Sequence, residues 1–294
     1  MSLAVDWRAR WITHTWQIKV YFQNVYKAMM KFPLAKVGRA CRMPLIYRNW
    51  VEALSNRFGP PSGDRAVTYV LRSGAAFRMQ AGSHDIRVLN EVWLDRIYEP
   101  SPDFCVGKGW TVLDVGAHKG SFAVRAASAD PTTKVHAVEP EPENLQYLNT
   151  NVALNRLQNV VIHAAAVSPD PGEALLYVGG ERGSGTNSLF QKQVAGQKRA
   201  AVSVATIRLD DVLERAGGQV DLMKMDVEGA EYAVLHAVSL KSLRRVRRIA
   251  LEYHGVAGLD AHTVGDDLRK HLQGNGFECA VAKDRCLLFA RRRG

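Results

Sequence analysis

Between residues 110 and 254, short apolar runs alternate with stretches of helical spacing. The runs are WTVLDV (110–115), KVHAVE (134–139), VVIHAAAV (160–167), VDLMKMD (220–226) and RIALEYH (248–254). GSFAVRAASA, PENLQYLNTNVALN and AEYAVLHAVSLKSL stand between most of them. Runs in which apolar residues follow one another, with no strict alternation of polar positions, are strands buried on both faces. Their alternation with helices predicts an α/β fold built on a parallel sheet covered on both sides. The rhythm breaks between 168 and 210, where EALLYVG and AVSVATIRL flank the Gly/Ser-rich GGERGSGTNSLF. The tail predicts a hairpin, FECAVA and CLLFAR about a KDR turn, closing the sheet in antiparallel fashion. AVTYVLRSG and AFRMQAG predict another hairpin, and DIRVLNEVWLDRIYEP a helix ending before Pro100.

Upstream the period is helical. Trp11, Ile18, Phe22, Val25 and Met29 fall on one face of a helix over 6–31, which Phe32-Pro33 ends. A second helical stretch carries Tyr47, Trp50, Leu54 and Phe58 and stops at GPPSGD. That break divides the chain into an N-terminal helical arm, 1–60, and a main domain, 61–294.

Charge changes this picture only at the arm. Of the net +10, residues 1–60 supply ten Lys or Arg against Asp6 and Glu52 alone, and four of the six tryptophans lie there. A basic, aromatic helix either docks on its own domain or a dimer seam, or lies on an anionic membrane. RNA is a weaker third partner. The four cysteines form no CxxC pair, which argues against a zinc knuckle or a disulfide framework. No run of about 18 apolar residues is present, and charges interrupt any leader-like segment, so a cytoplasmic protein is expected, with peripheral membrane attachment open.

The chemistry begins at VLDVGAHKG (112–120). A Walker loop needs GxxxxGK[ST], but Ser121 and Phe122 follow Gly120. A dinucleotide fingerprint needs GxGxxG, but position 118 is His. What remains is Asp114, Gly116 and Gly120 after one strand and Glu139 closing the next. Gly116 lets a backbone approach a ligand, and Glu139 can accept from ribose hydroxyls, a pattern suited to a nucleoside without pyrophosphate. S-adenosylmethionine fits, the alternative being a tight turn followed by a helix-capping carboxylate. Further on, DLMKMDVEGAE sets Lys224, Asp226 and Glu228 at alternate positions at a strand end, where charges must pair or face a cleft.

With these stretches in place the chain resembles the FkbM-type S-adenosylmethionine-dependent methyltransferases. The resemblance rests on VLDVGAHKGSF, VHAVEPEPENLQYLNTNVALNRLQNV, HAAAVS, LDDVL, DLMKMDVEGAEYAVLHA and IALEYHG, in that order, over about residues 68–256. It implies a class I (Rossmann-like) methyltransferase fold, S-adenosylmethionine as cofactor, and O-methylation of a natural product or saccharide. It also implies cofactor contacts by Asp114, Gly116, Ala117, Gly120 and Glu139. His118 and Lys119 receive no role.

Methyl transfer to an aliphatic hydroxyl needs alignment and a proton acceptor. Asp226, which also borders the cofactor, and His254 are the candidates, with Glu228 beside them. A cation held by Asp226, Glu228 and Glu252 is an alternative that the spacing does not demand, so no metal is expected. Asn187 and Ser188 lie in a candidate substrate loop. Glu91 and Tyr98 are placed on a structural helix, with packing over the methionine end of the cofactor as the alternative. Two other functions stay open: a ribose methyltransferase acting on RNA through the basic arm, and a non-catalytic cofactor-binding module. MDVEG, standing where N-methyltransferases often carry N/D-P-P-Y/F, disfavours methylation of planar amines.

Overall fold

In the computed structural model, residues 41–58, 65–178 and 201–293 are described. The predicted helix over 6–31, the break at 59–63 and the loop with Asn187 and Ser188 lie outside them. Residues 41–46 are helical, and α1 (Trp50–Phe58) follows. Then come β1 (Ala66–Val70), β2 (Ala76–Gln80) and α2 (Asp85–Trp93). The alternating units begin with β3 (Thr111–Val115), α3 (Ser121–Ala127), β4 (Lys134–Val138), α4 (Pro142–Leu154) and β5 (Val160–His163). After them run β6 (Ala166–Val167), β7 (Gly172–Tyr177), β8 (Ala201–Ile207), α5 (Leu209–Arg215) and β9 (Leu222–Met225). The chain closes with α6 (Glu231–Ala237), α7 (Leu240–Leu243), β10 (Arg248–Glu252), α8 (Ala261–Gly274), β11 (Phe277–Ala282) and β12 (Leu287–Arg292).

Seven strands form the central sheet in the order β11-β12-β10-β9-β3-β4-β5. The five from β10 to β5 are parallel, and β12 runs antiparallel to both β10 and β11, so the tail hairpin closes the sheet as predicted. Strand order reverses between β3 and β9, which opens a crevice at their carboxyl ends. The four residues of β9 are all buried, as a central strand requires. One face packs Leu113, Met223 and Ile249 against Val234 of α6 and Leu268 of α8. The other packs Val112, Leu222 and Ala250 with Phe122 and Ala126 of α3.

Two elements differ from the expectation. VVIHAAAV is not one strand: β5 ends at His163, and Ala166-Val167 pair with β8 in a separate three-stranded sheet, β6-β8-β7. The helix expected to run to Pro100 stops at Trp93, which leaves Tyr98 on an irregular segment.

Residues 41–58, grouped with the arm by the Pro/Gly break, share a core with the β1–β2 hairpin and α2. Met43, Tyr47 and Leu54 pack with Tyr69, Phe77 and Leu89. This unit is fastened to the sheet domain by buried polar groups. Asn151 of α4 and Asn155, which caps it, bond the backbone of Arg78 and Ala76 as a further strand would, each both accepting and donating. Lys119 and Asp85 form a buried ion pair at 2.6 Å.

Candidate active site

At the crevice the loop after β3 meets the end of β4. The N–H groups of Gly116 and Ala117 both donate to the carbonyl of Val138, at 3.0 and 2.9 Å. Glu139 is buried there, and its carboxylate is held by the backbone. Oε2 accepts from His118 N–H at 2.7 Å; Oε1 accepts from Glu141 N–H at 3.0 Å and the Asn144 amide at 3.3 Å. Burial pulls its pKa up against these bonds. A carboxylate has about four acceptor positions, so an open one remains on Oε2 for a ribose hydroxyl.

The glycines are needed for packing. Gly116 has φ +79°, and a Cβ there would stand 1.7 Å from the carbonyl oxygen of Asp226. A Cβ at Gly120, φ +85°, would stand 2.6 Å from Leu148 Cδ1. Asp114 and Lys224 are direct partners across β3 and β9, buried and 3.3 Å apart, and Lys224 Nζ donates to the Gly116 carbonyl at 2.7 Å. This ion pair braces the loop from beneath.

A cavity spans the crevice. It is lined by the apolar Ala165, Val167 and Leu176, by Gly116, Ala117 and Glu139, and, at a polar end, by residues that include Tyr98, Asp226, Glu228 and Glu252. Of the residues expected at the cofactor, Gly116, Ala117, Glu139 and Asp226 line it, while Asp114 and Gly120 stand behind it. An apolar slot for a base, a carboxylate beside a ribose and a polar end for a charged tail fit S-adenosylmethionine.

At the polar end one phenol serves two carboxylates. Tyr98 Oη lies 3.0 Å from Glu252 Oε2 and 3.3 Å from Asp226 Oδ2. A hydroxyl has one proton to donate, so it satisfies one of them at a time. Burial, and then the neighbouring Asp226 charge, push Glu228 up to about 8 and Glu252 up to about 7. His254 does not line the cavity but reaches its edge, with Nε2 3.4 Å from Glu228 Oε2. Burial works against its charged form, yet the hydrogen bond and charge of Glu231 prevail and raise it to about 10.

Glu231 has no role in the sequence reading, although it is the last residue of the EGAE run. Fully buried at the start of α6, it accepts from Val227 N–H and Gly229 N–H, both at 2.9 Å, and lies 3.0 Å from His254 Nδ1. One side chain thus sets both the loop carrying Glu228 and the imidazole. Glu91 and Tyr98 both line the cavity, so their place is the site as well as the scaffold. His118, in a left-handed turn at φ +51°, lines it too, and burial pushes its imidazole down to about 4.

A sheet with this strand order, reversed hairpin and glycine-loop crevice defines a class I methyltransferase. The Methyltransferase FkbM domain model matches residues 114–279, more than half of the chain, and the chain belongs to that family. Its cofactor is S-adenosylmethionine. Among similar proteins, the AMB antimetabolite synthetase AmbE of Pseudomonas aeruginosa is 26% identical over 236 residues, which cover 68% of this chain but only 11% of that protein. The 31-O-demethyl-FK506 methyltransferase FkbM of Streptomyces tacrolimicus is 29% identical, covering 60% of this chain and 75% of that one. The 2-O-methyltransferase NoeI of Sinorhizobium fredii is 27% identical, covering 48% and 62%. A crystal structure of Aeropyrum pernix fibrillarin with natively bound S-adenosyl-L-methionine aligns at 15% identity and TM-score 0.43, over 79% of this chain and 83% of that one.

Proposed function

We propose that the protein transfers the methyl group of S-adenosylmethionine to a hydroxyl of a saccharide, glycolipid or other secondary metabolite. The observation that carries this reading is the polar end of the cavity, where Asp226, Glu228 and Glu252 gather beside the cofactor cradle with a carboxylate-anchored His254. S-adenosylmethionine supplies an electrophilic methyl on sulfur. The acceptor oxygen attacks that carbon, the C–S electron pair stays on sulfur, and the hydroxyl proton passes to the Asp226 carboxylate, with Glu228 and the Glu231-held His254 beside it. Glu139 and the 116–118 backbone hold the nucleoside, and Tyr98 keeps Asp226 and Glu252 in place. General base groups of this kind contribute about 10²–10⁴-fold.

The names of two relatives, a 31-O-demethyl-FK506 methyltransferase and a 2-O-methyltransferase, support oxygen as the acceptor atom. The acidic mouth stands against a phosphate-rich acceptor, so RNA takes second place. Among the described residues no helix is long and apolar enough to cross a membrane. We propose a cytoplasmic enzyme whose basic, aromatic N-terminal stretch docks on its own domain, with an anionic membrane surface as the second reading. The test is labelling of a lysate from a deletion strain with methyl-labelled S-adenosylmethionine and the purified protein, followed by separation of RNA, lipid and glycan pools. Label in lipid or glycan is expected; label confined to RNA overturns the reading.

A further inference from the structure

The geometry points to a divalent-cation site formed by Asp226, Glu228 and His254 at the acceptor end of the cavity. This deepens the proposed function and rests on it for its role, though not for its existence. The spacing of the sequence demanded no metal, and its alternative used Glu252. The fold substitutes His254. Parallel pairing of β9 with β10 brings the two strand ends side by side, and one ligand atom from each of the three residues lies within 4.8 Å of the others.

Two further observations turn this juxtaposition into a site. The first is His254. Its Nδ1 lies 3.0 Å from an oxygen of fully buried Glu231, so Nδ1 carries the hydrogen-bonding proton and Nε2 turns toward Glu228, 3.4 Å away. A carboxylate behind one imidazole nitrogen orients the other toward an ion, and the incoming cation displaces the proton that Nε2 otherwise directs at Glu228. The second is Asp226. Its Oδ2 takes what Tyr98 and Lys224 offer, at 3.3 and 3.9 Å. Its Oδ1 is buried with no hydrogen-bond partner among the described residues. A buried anionic oxygen without a donor is costly, and a cation removes that cost.

Two carboxylates and one imidazole suit an ion of the magnesium or manganese class. Since Asp226 and Glu228 line the cavity, the ion's remaining positions face the acceptor. There it binds the hydroxyl oxygen and promotes loss of its proton to solvent, so that the three side chains act on the acceptor through the metal.

The experiment is Mn²⁺ titration of the chelator-stripped full chain, by calorimetry and by electron paramagnetic resonance of the free ion, with and without S-adenosylhomocysteine. One ion per chain is expected. Binding should weaken at least about tenfold in Glu228→Gln, in His254→Ala and, through the imidazole, in Glu231→Gln. A thermal unfolding midpoint within a few degrees of the unmodified chain's reports that each variant is folded. Absence of stoichiometric Mn²⁺, or binding that none of the three substitutions alters, overturns the site. Loss of S-adenosylhomocysteine binding by the unmodified chain overturns the cofactor reading instead, and the titration without it still decides the metal.

Discussion

The loop after β3 and the loop after β9 lie side by side at the same sheet edge, yet they treat carboxylates in opposite ways. Beneath the first, Asp114 faces Lys224, and above it Glu139 is held by two backbone N–H groups and an amide. At the second, Asp226, Glu228 and Glu252 crowd together with one phenol and one imidazole among them. At the first loop each carboxylate has a charged or backbone partner before any ligand arrives, as a rigid cradle should. The second keeps unmet acceptor capacity, as a site awaiting a substrate or an ion does. Binding and chemistry are thus separated by a few ångströms of backbone. The contact between them is the Gly116 approach to the Asp226 carbonyl.

Substitutions should break along that division. At the second loop, Asp226→Ala and His254→Ala should each lower methyl transfer by about 10²–10⁴-fold while S-adenosylhomocysteine affinity changes much less. Kinetics on the labelled acceptor pool, with calorimetry in parallel, is the check; full turnover in both variants would remove them from the chemistry. At the junction, Gly116→Ala places a Cβ where the Asp226 carbonyl stands, on a left-handed backbone. A loss of about 3 kcal/mol or more in stability is expected, read by thermal melting.

In the cradle, Glu139→Ala removes a ribose partner and the brace of the 118 and 141 N–H groups. Its S-adenosylhomocysteine affinity should fall by about 1.5–3 kcal/mol for each charged hydrogen bond lost. Unchanged affinity in a folded variant would place the ribose elsewhere, and NADH binding would unseat the cofactor itself.

The smallest effect concerns acid. His118 has its pKa held below the usual histidine value by burial. Its contribution to stability is therefore complete above about pH 6.5 and is lost as pH falls toward about 4. His118→Asn tolerates the same left-handed turn. Its melting temperature should fall less than that of the unmodified chain between pH 7 and 4.5, and parallel curves would show the imidazole to be uninvolved.

Much of this division was legible before any fold. The apolar runs identified β3, β4, β9 and β10, because a strand buried on both faces must be apolar throughout. Asp114 and Lys224 interrupt those runs, and a charge in such a strand announces a partner or a cleft. The tail hairpin was equally plain from its turn. Gly116 and Gly120 stood out as a loop for ligand approach, and the fold adds a packing requirement at both. Their space is filled by Asp226 and Leu148, neighbours that no local pattern names.

Pairing across distance was decided by the tertiary structure alone. VVIHAAAV is apolar enough for one strand, yet the chain leaves the sheet after His163, because Ala166-Val167 find β8. The helical spacing past Trp93 gives way, and Tyr98 reaches two carboxylates from separate strands. Glu231 looks like the acidic first turn of a helix, and it is one; its bond to a histidine 23 residues away exists only because β9 and β10 are neighbours. Periodicity records which face of an element is buried, since burial repeats with the geometry of the backbone. It does not record what a polar side chain meets there, since that depends on which elements the sheet brings together.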